Sequence, residues 1–164
     1  MRIRAYSVDG WGTGCLRWND DGALVGHDEP EPGARVIDRG ASPADADGLV
    51  SRLVAVLGGA VDDFLDIECG AAADAAGLTP FEVEVIAHVR RIPRGESASY
   101  AEIAELAGRP RAWRAVGTAC GRGVLSIIVP SHRVIRSNGD IGDYGPLGTP
   151  RKRRLLELEG FRAL

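Results

Sequence analysis

Cysteine is scarce in this sequence. Its three copies, Cys15, Cys69 and Cys120, are odd in number and far apart in a chain of 164 residues. That argues against a disulfide framework and suits a reducing compartment. No Cys-x-x-Cys or His-x-x-x-His pair occurs, so no structural zinc site is expected, and no other cofactor. Long apolar runs are also missing. "LVAVLGGAV" is too short and too broken to span a bilayer, and the opening "MRIRAYSVDG" has no apolar stretch of the signal-peptide kind. The expected setting is the cytoplasm, with no membrane partner, and the expected state is a monomer. No internal repeat is present.

What is there is an ordinary globular composition, 45% hydrophobic and 26% charged. The net charge of −3 hides an asymmetry. Residues 1–80 hold 6 Lys and Arg against 14 Asp and Glu, whereas residues 81–164 hold 14 against 9. Such a split suggests two units, the basic one facing a polyanion. The plainer reading, that acidic residues keep the first half in solution, fits the charge count equally well.

Pattern points to an α+β protein. Residues 1–75 read as a small α+β domain, a mixed sheet with a helix, and residues 76–164 as a mainly helical domain. "RIRAYSV", "GCLRWN" and "ALVGH" alternate partially and are separated by Gly, Asn and Asp, as strands are. Ser42-Pro43 opens a helix with Leu49, Leu53, Val56 and Leu57 on one face. "DDFLDIECG" is expected to add a strand, and the Ala/Gly-rich stretch 69–80 to be a linker. In the second half, "FEVEVIAHVRRI" puts Phe81, Val85, His88 and Val89 on one stripe, with His88 read as core. Ser99 and Glu102 form a capping box, and Gly108 closes that helix. "RPRAWRAVGTACGRG" follows as a second short helix, giving a helix-turn-helix outline. Arg111 and Arg114 lie near its start, where a recognition helix meets nucleic acid. "VLSIIVP" predicts a buried strand or tight apolar segment, and Thr149 is expected to cap a last helix with Pro150 at its first position.

"IPRGESASYAEIAELAGRPRAWRAVGTA", then "IIVPSHRVI", "GDYG" and "KRRLLELEG", resemble the C-terminal domain of the O6-alkylguanine-DNA alkyltransferases over roughly residues 78–160. The resemblance makes 76–164 a DNA-binding alkyltransferase domain and implies a partner: double-stranded DNA containing O6-alkylguanine. The hallmark of that family is Pro-Cys-His-Arg-Val, and here it reads Pro130-Ser131-His132-Arg133-Val134. By resemblance, Ser131 occupies the acceptor position and His132 is a base acting through a water. Glu159 orients that histidine, and Tyr100 donates to the departing guanine. Arg114 fills the gap left by the extruded nucleotide, with Arg111 and Arg133 as further DNA contacts. Val134 and Tyr144 line the base pocket. The family often has Asn-Pro where Gly123-Val124 stands, which removes a side chain that braces the reactive loop.

Displacement at an alkyl carbon needs a soft, strong nucleophile, and a thiol ionises near neutral pH when helped by a base. A serine hydroxyl does not, so Ser131 is expected to leave the alkyl group where it is. Three readings remain: a repair alkyltransferase with its cysteine replaced, a lesion sensor without transfer, and a Ser-His-Glu hydrolase. The last lacks the Gly-x-Ser-x-Gly elbow. Duller roles stand beside each assignment. Tyr100 can fill a helix interface, Arg114 can touch a phosphate, Cys120 can be packing, and residues 151–154 can be a solvated basic turn.

Overall fold

A computed structural model describes residues 1–161; the last three residues of the 76–164 range lie outside it. Three strands, β1 (Arg2–Val8), β2 (Gly12–Trp18) and β3 (Leu24–Glu31), form an antiparallel sheet in chain order. The mixed sheet expected from sequence is thus wholly antiparallel. A register shift between Thr13 and Cys15 brings β2 against β3 so closely that a Cβ on Gly14 would lie 2.5 Å from the Asp28 carbonyl oxygen. Helix α1 (Ala46–Leu57) buries Ala46, Leu49, Leu53, Val56 and Leu57, the i, i+3, i+4 spacing of an amphipathic helix. It starts at Asp45 rather than Ser42.

Residues 62–69 form no strand. Arg52 of α1 draws them into a turn by pairing with both Asp62 and Asp66, and its guanidinium lies 4.9 Å from the Phe64 ring centroid. The stretch read as a linker contains a short helix, α2 (Gly70–Ala75), which buries Ala72 and Ala73. Asp62, Asp63 and Asp66 have carboxylate oxygens within 4.8 Å of one another, but two of them are already held by Arg52.

Helix α3 (Pro80–Val89) opens on a capping box between Thr79 and Glu82, with proline in its first turn. Its buried face is Glu82, Val85, Ile86 and Val89. Phe81 and His88 are half-buried, so the expected stripe is rotated and His88 is not core. Glu82 is buried because it serves both the cap and Arg122, at 2.9 Å. Helix α4 (Tyr100–Leu106) has the Ser99–Glu102 capping box, and α5 (Trp113–Gly121) packs on both α4 and α3.

"VLSIIVP" is buried but is a chain of turns rather than a strand, with Leu125 (φ 47°) and Ile127 (φ 73°) in left-handed backbone. A single turn of 3-10 helix (Ser131–Arg133) follows. Strand β5 (Val134–Ile135) then pairs in parallel with β4 (Ala98–Ser99), Ala98 facing Val134. That pairing sets the start of α4, and so Tyr100, beside the Ser131 loop. Helix α6 (Gly148–Leu158) is capped by no side chain; Thr149 Oγ1 lies inside it and donates to the Gly142 carbonyl at 3.1 Å. One apolar cluster runs from Tyr6 and Trp11 through Leu53 and Val85 to Leu155. Among the described residues no helix is long and apolar enough to cross a membrane.

Candidate functional site

The 3-10 turn carries Ser131, His132 and Arg133 into the interior, with 6%, 1% and 5% of their surface exposed. Backbone bonds from Ser131 N to Val129 O (2.8 Å) and from Arg133 N to Pro130 O (2.9 Å) shape it. His132 Nε2 lies 2.9 Å from Glu159 Oε1, at the end of α6. A carboxylate only accepts, so Nε2 carries the proton and Nδ1 is the bare nitrogen. Nδ1 is buried and has no hydrogen-bond partner among the described residues. Burial lowers the His132 pKa, outweighing the opposing pull of Glu159. The imidazole is therefore neutral near pH 7 and can take a proton on Nδ1.

Glu159 is the hub of this cluster. Burial alone would raise its pKa, but hydrogen bonds from His132 and Arg133 bring it down to about 2. Arg133 grips both carboxylate oxygens, at 2.9 and 2.8 Å, and donates to the Ile92 carbonyl at 2.6 Å. The sequence reading of Arg133 as a DNA contact is thereby corrected: its guanidinium is inside the protein, shared between Glu159 and the Ile92 carbonyl.

Ser131 lines a cavity of about 460 Å³ with Cys120, Arg122, Gly123 and Tyr144, closed from the other side by His27 and Glu29 of β3. His27 Nδ1 donates to the Ser126 carbonyl at 2.6 Å, and Tyr6 donates to His27 Nε2 at 2.5 Å. Tyr144 donates to Glu29 and meets the His132 ring edge-on, with centroids 6.4 Å apart. A second cavity, of about 770 Å³, lies at the other end of α5 between Tyr100, Trp113, Arg114, Gly117, Arg136 and Asn138. Ser131 and Tyr144 thus share one cavity, while Tyr100 and Arg114 share the other. Arg111 is exposed on a shallow surface with Arg109 and Pro110. Val134 lines neither cavity. Its side chain is fully buried, and its carbonyl accepts from Lys152 Nζ at 2.6 Å.

Lys152, the only lysine in the chain, was not singled out by the sequence. It is 1% exposed and also reaches the Tyr100 hydroxyl (3.4 Å) and the Asp143 carbonyl (3.3 Å). Burial depresses its pKa to about 8. The run 151–154 is therefore structural for the most part. Arg151 donates to Pro30 O and Arg154 to Gly10 O, and both guanidiniums lie on the Trp11 ring. The signal that would have found Lys152 is its spacing with Leu155, Leu156 and Glu159, one helix face. Glu29 and His27 left no such local signal.

No cysteine offers a thiolate in place of Ser131. Burial pushes Cys120 up to about 12 and Cys15 up to about 11, and it raises Cys69 as well. Gly123, where the resemblance implies Asn, has φ 62°, the left-handed region that both residues tolerate. The turn survives the exchange, and the Ser126 hydroxyl donates to the Gly123 carbonyl at 3.4 Å.

Comparison with known proteins shows what the chain as a whole is similar to. The 6-O-methylguanine DNA methyltransferase DNA binding domain matches residues 80–161. The methylated-DNA--protein-cysteine methyltransferase of Mycobacterium tuberculosis is 42% identical over 137 residues, 84% of this chain and 72% of that protein. Its namesake in Mycobacterium leprae is 38% identical over 153 residues, covering 86% and 87%. The crystal structure of Mycobacterium tuberculosis OGT in complex with DNA superposes with a TM-score of 0.72 at 32% identity, over 96% of this chain and 92% of that one. The chain belongs to the 6-O-methylguanine DNA methyltransferase family.

Proposed function

We propose that this chain binds duplex DNA, receives an extruded O6-alkylguanine beside Ser131 and holds it without removing the alkyl group. The observation that carries this reading is an assembled His132–Glu159 pair beside a serine at the acceptor position; burial raises the pKa of all three cysteines, so none offers a substitute thiolate. With sulfur at position 131, the thiol proton passes toward His132 Nδ1 and sulfur bonds to the alkyl carbon. The carbon–O6 bond breaks with its electron pair staying on oxygen, and the departing guanine takes a hydrogen bond or proton from Tyr100, which has to reach it from the other cavity. With oxygen at position 131 the first step fails. The hydroxyl is too weak an acid for a neutral imidazole, and no oxyanion hole helps at a saturated carbon.

Helices α4 and α5 act as a helix-turn-helix lying along the minor groove, where contacts are largely independent of sequence. Arg114 enters the stack as the damaged nucleotide leaves, offsetting part of the cost of unstacking. Residues 76–164 form the DNA-facing unit, and residues 1–75 brace its reactive loop through His27 and Glu29. The expected compartment is the reducing cytoplasm. A second reading, a lesion sensor that flags O6-alkylguanine for other repair, is favoured by Ser131 together with Gly123, since both depart from the transfer-competent pattern. It shares the same binding step.

The test is retention of matched duplexes with and without one O6-methylguanine. Tighter retention of the damaged duplex supports the reading, as does weaker retention by Arg114→Ala. Equal affinity for the two duplexes rejects it.

A further inference from the structure

Three tryptophans occur in the chain, and two of them are core: Trp11 is 4% exposed and Trp18 is 3%. Trp113 is 48% exposed, at the first position of α5. Leaving a large indole half in water forgoes much of the gain of burying it. One face carries the Arg114 guanidinium, 4.8 Å from the ring centroid. The ring also lines the 770 Å³ cavity together with Tyr100, Arg136 and Asn138.

The charge around it is mainly positive, with Asp143 as the one carboxylate lining the cavity. Arg109, Arg111 and Arg114 are exposed, and none has a carboxylate within salt-bridge distance among the described residues. Arg136, across the cavity, has an exposed pairing with Asp140 at 3.2 Å, weak in water. A half-exposed aromatic plane with the unpaired Arg114 guanidinium on it, and the exposed Arg109 and Arg111 just before it in the chain, fits one ligand chemistry well: a flat π system attached to a polyanion.

The geometry points to Trp113 as a stacking platform for an unpaired nucleobase of bound DNA, namely the base left opposite the extruded, alkylated guanine. This rests on the lesion-binding reading above and adds to it a second contact, on the strand that carries no damage. Extrusion strips that base of its pairing partner and opens a step in the stack. Arg114 and Trp113 are adjacent at the start of one helix, so a guanidinium placed in the gap brings the indole to the gap's edge. The Arg114–Trp113 contact fixes the arginine's direction before DNA arrives, which reduces the ordering cost of binding. The undamaged partner base then stacks on the ring face that Arg114 leaves open.

Tryptophan emission gives a direct test, because Trp113 is the one tryptophan in water. The duplex carries O6-methylguanine opposite cytosine, and retention is followed in parallel by mobility shift. Binding should quench the emission and shield it from acrylamide, and Trp113→Phe should abolish both effects while keeping affinity within about threefold. Trp113→Ala should bind about tenfold more weakly. That difference should vanish on a duplex with an abasic site opposite the lesion, where no base remains to stack. Circular dichroism and thermal melting confirm that each variant is folded, as expected for an exposed position.

Unquenched emission in a complex that the mobility shift shows to be formed overturns the inference and leaves the lesion-binding reading intact. So does a Trp113→Ala penalty that persists opposite the abasic site. Failure of the unaltered chain to retain any duplex overturns both.

Discussion

Tyr144 donates a hydrogen bond from its hydroxyl to Glu29, joining the wall of the Ser131 cavity to strand β3 of the N-terminal sheet. Burial and the neighbouring carboxylate together hold the Tyr144 phenol well above its ordinary pKa, and burial raises Glu29 as well. His27, two residues earlier on β3, holds the Ser126 carbonyl on the opposite side of the loop. The sheet therefore grips the reactive loop both before and after Ser131.

Removing the Glu29 carboxylate should orphan a buried phenol. Glu29→Ala is expected to lose about 1–3 kcal/mol, read as a lower urea midpoint. Glu29→Gln keeps an acceptor and should lose less, and Tyr144→Phe should largely remove the difference between the two Glu29 variants. Equal stability of Glu29→Ala and the unaltered chain would show that the strut bears no load.

Glu159 predicts an acid limit. Its folded pKa of about 2 lies below the ordinary 4.5, so the unfolded chain binds the proton more readily. Stability from this group is full above pH 4.5 and is lost as the pH falls toward 2. Glu159→Gln should flatten that segment of the stability–pH curve. It should also cost about 3 kcal/mol at neutral pH, because Arg133 is left buried without its counter-charge. Denaturant midpoints between pH 2 and 7 check both.

Lys152 predicts a labelling pattern. Its amine is enclosed by Val134 O, Asp143 O and Tyr100, and the chain has no other lysine. An amine-reactive ester should therefore modify the folded protein at the N-terminal amine alone, with Lys152 reacting after denaturation. Rapid labelling of Lys152 in the folded state, seen by peptide mass mapping, would contradict the enclosed position.

The parts of the fold that were legible in the sequence are those set by local chemistry. The Ser99–Glu102 box, the α1 face and the neighbouring Ser131 and His132 depend on residues a few positions apart. Misreadings came from long-range partners. Residues 62–69 look like a strand until Arg52 of α1 folds them into a turn. Arg133 looks like a DNA contact until Glu159, 26 positions on, claims its guanidinium. Glu29 and Tyr144 are 115 positions apart, and neither has a local pattern that names the other. Phe81 and His88 fit the apolar stripe of α3 by type, but the burial of Glu82 with Arg122 turns that helix the other way.

Intact mass after incubation with an O6-methylguanine duplex tests most directly whether oxygen at position 131 is what stops transfer. The chain with Ser131 should keep its mass while retaining the damaged duplex, and Ser131→Cys should gain one methyl group per molecule. A methyl gain by the serine chain, or none by the cysteine variant despite retained binding, would contradict it.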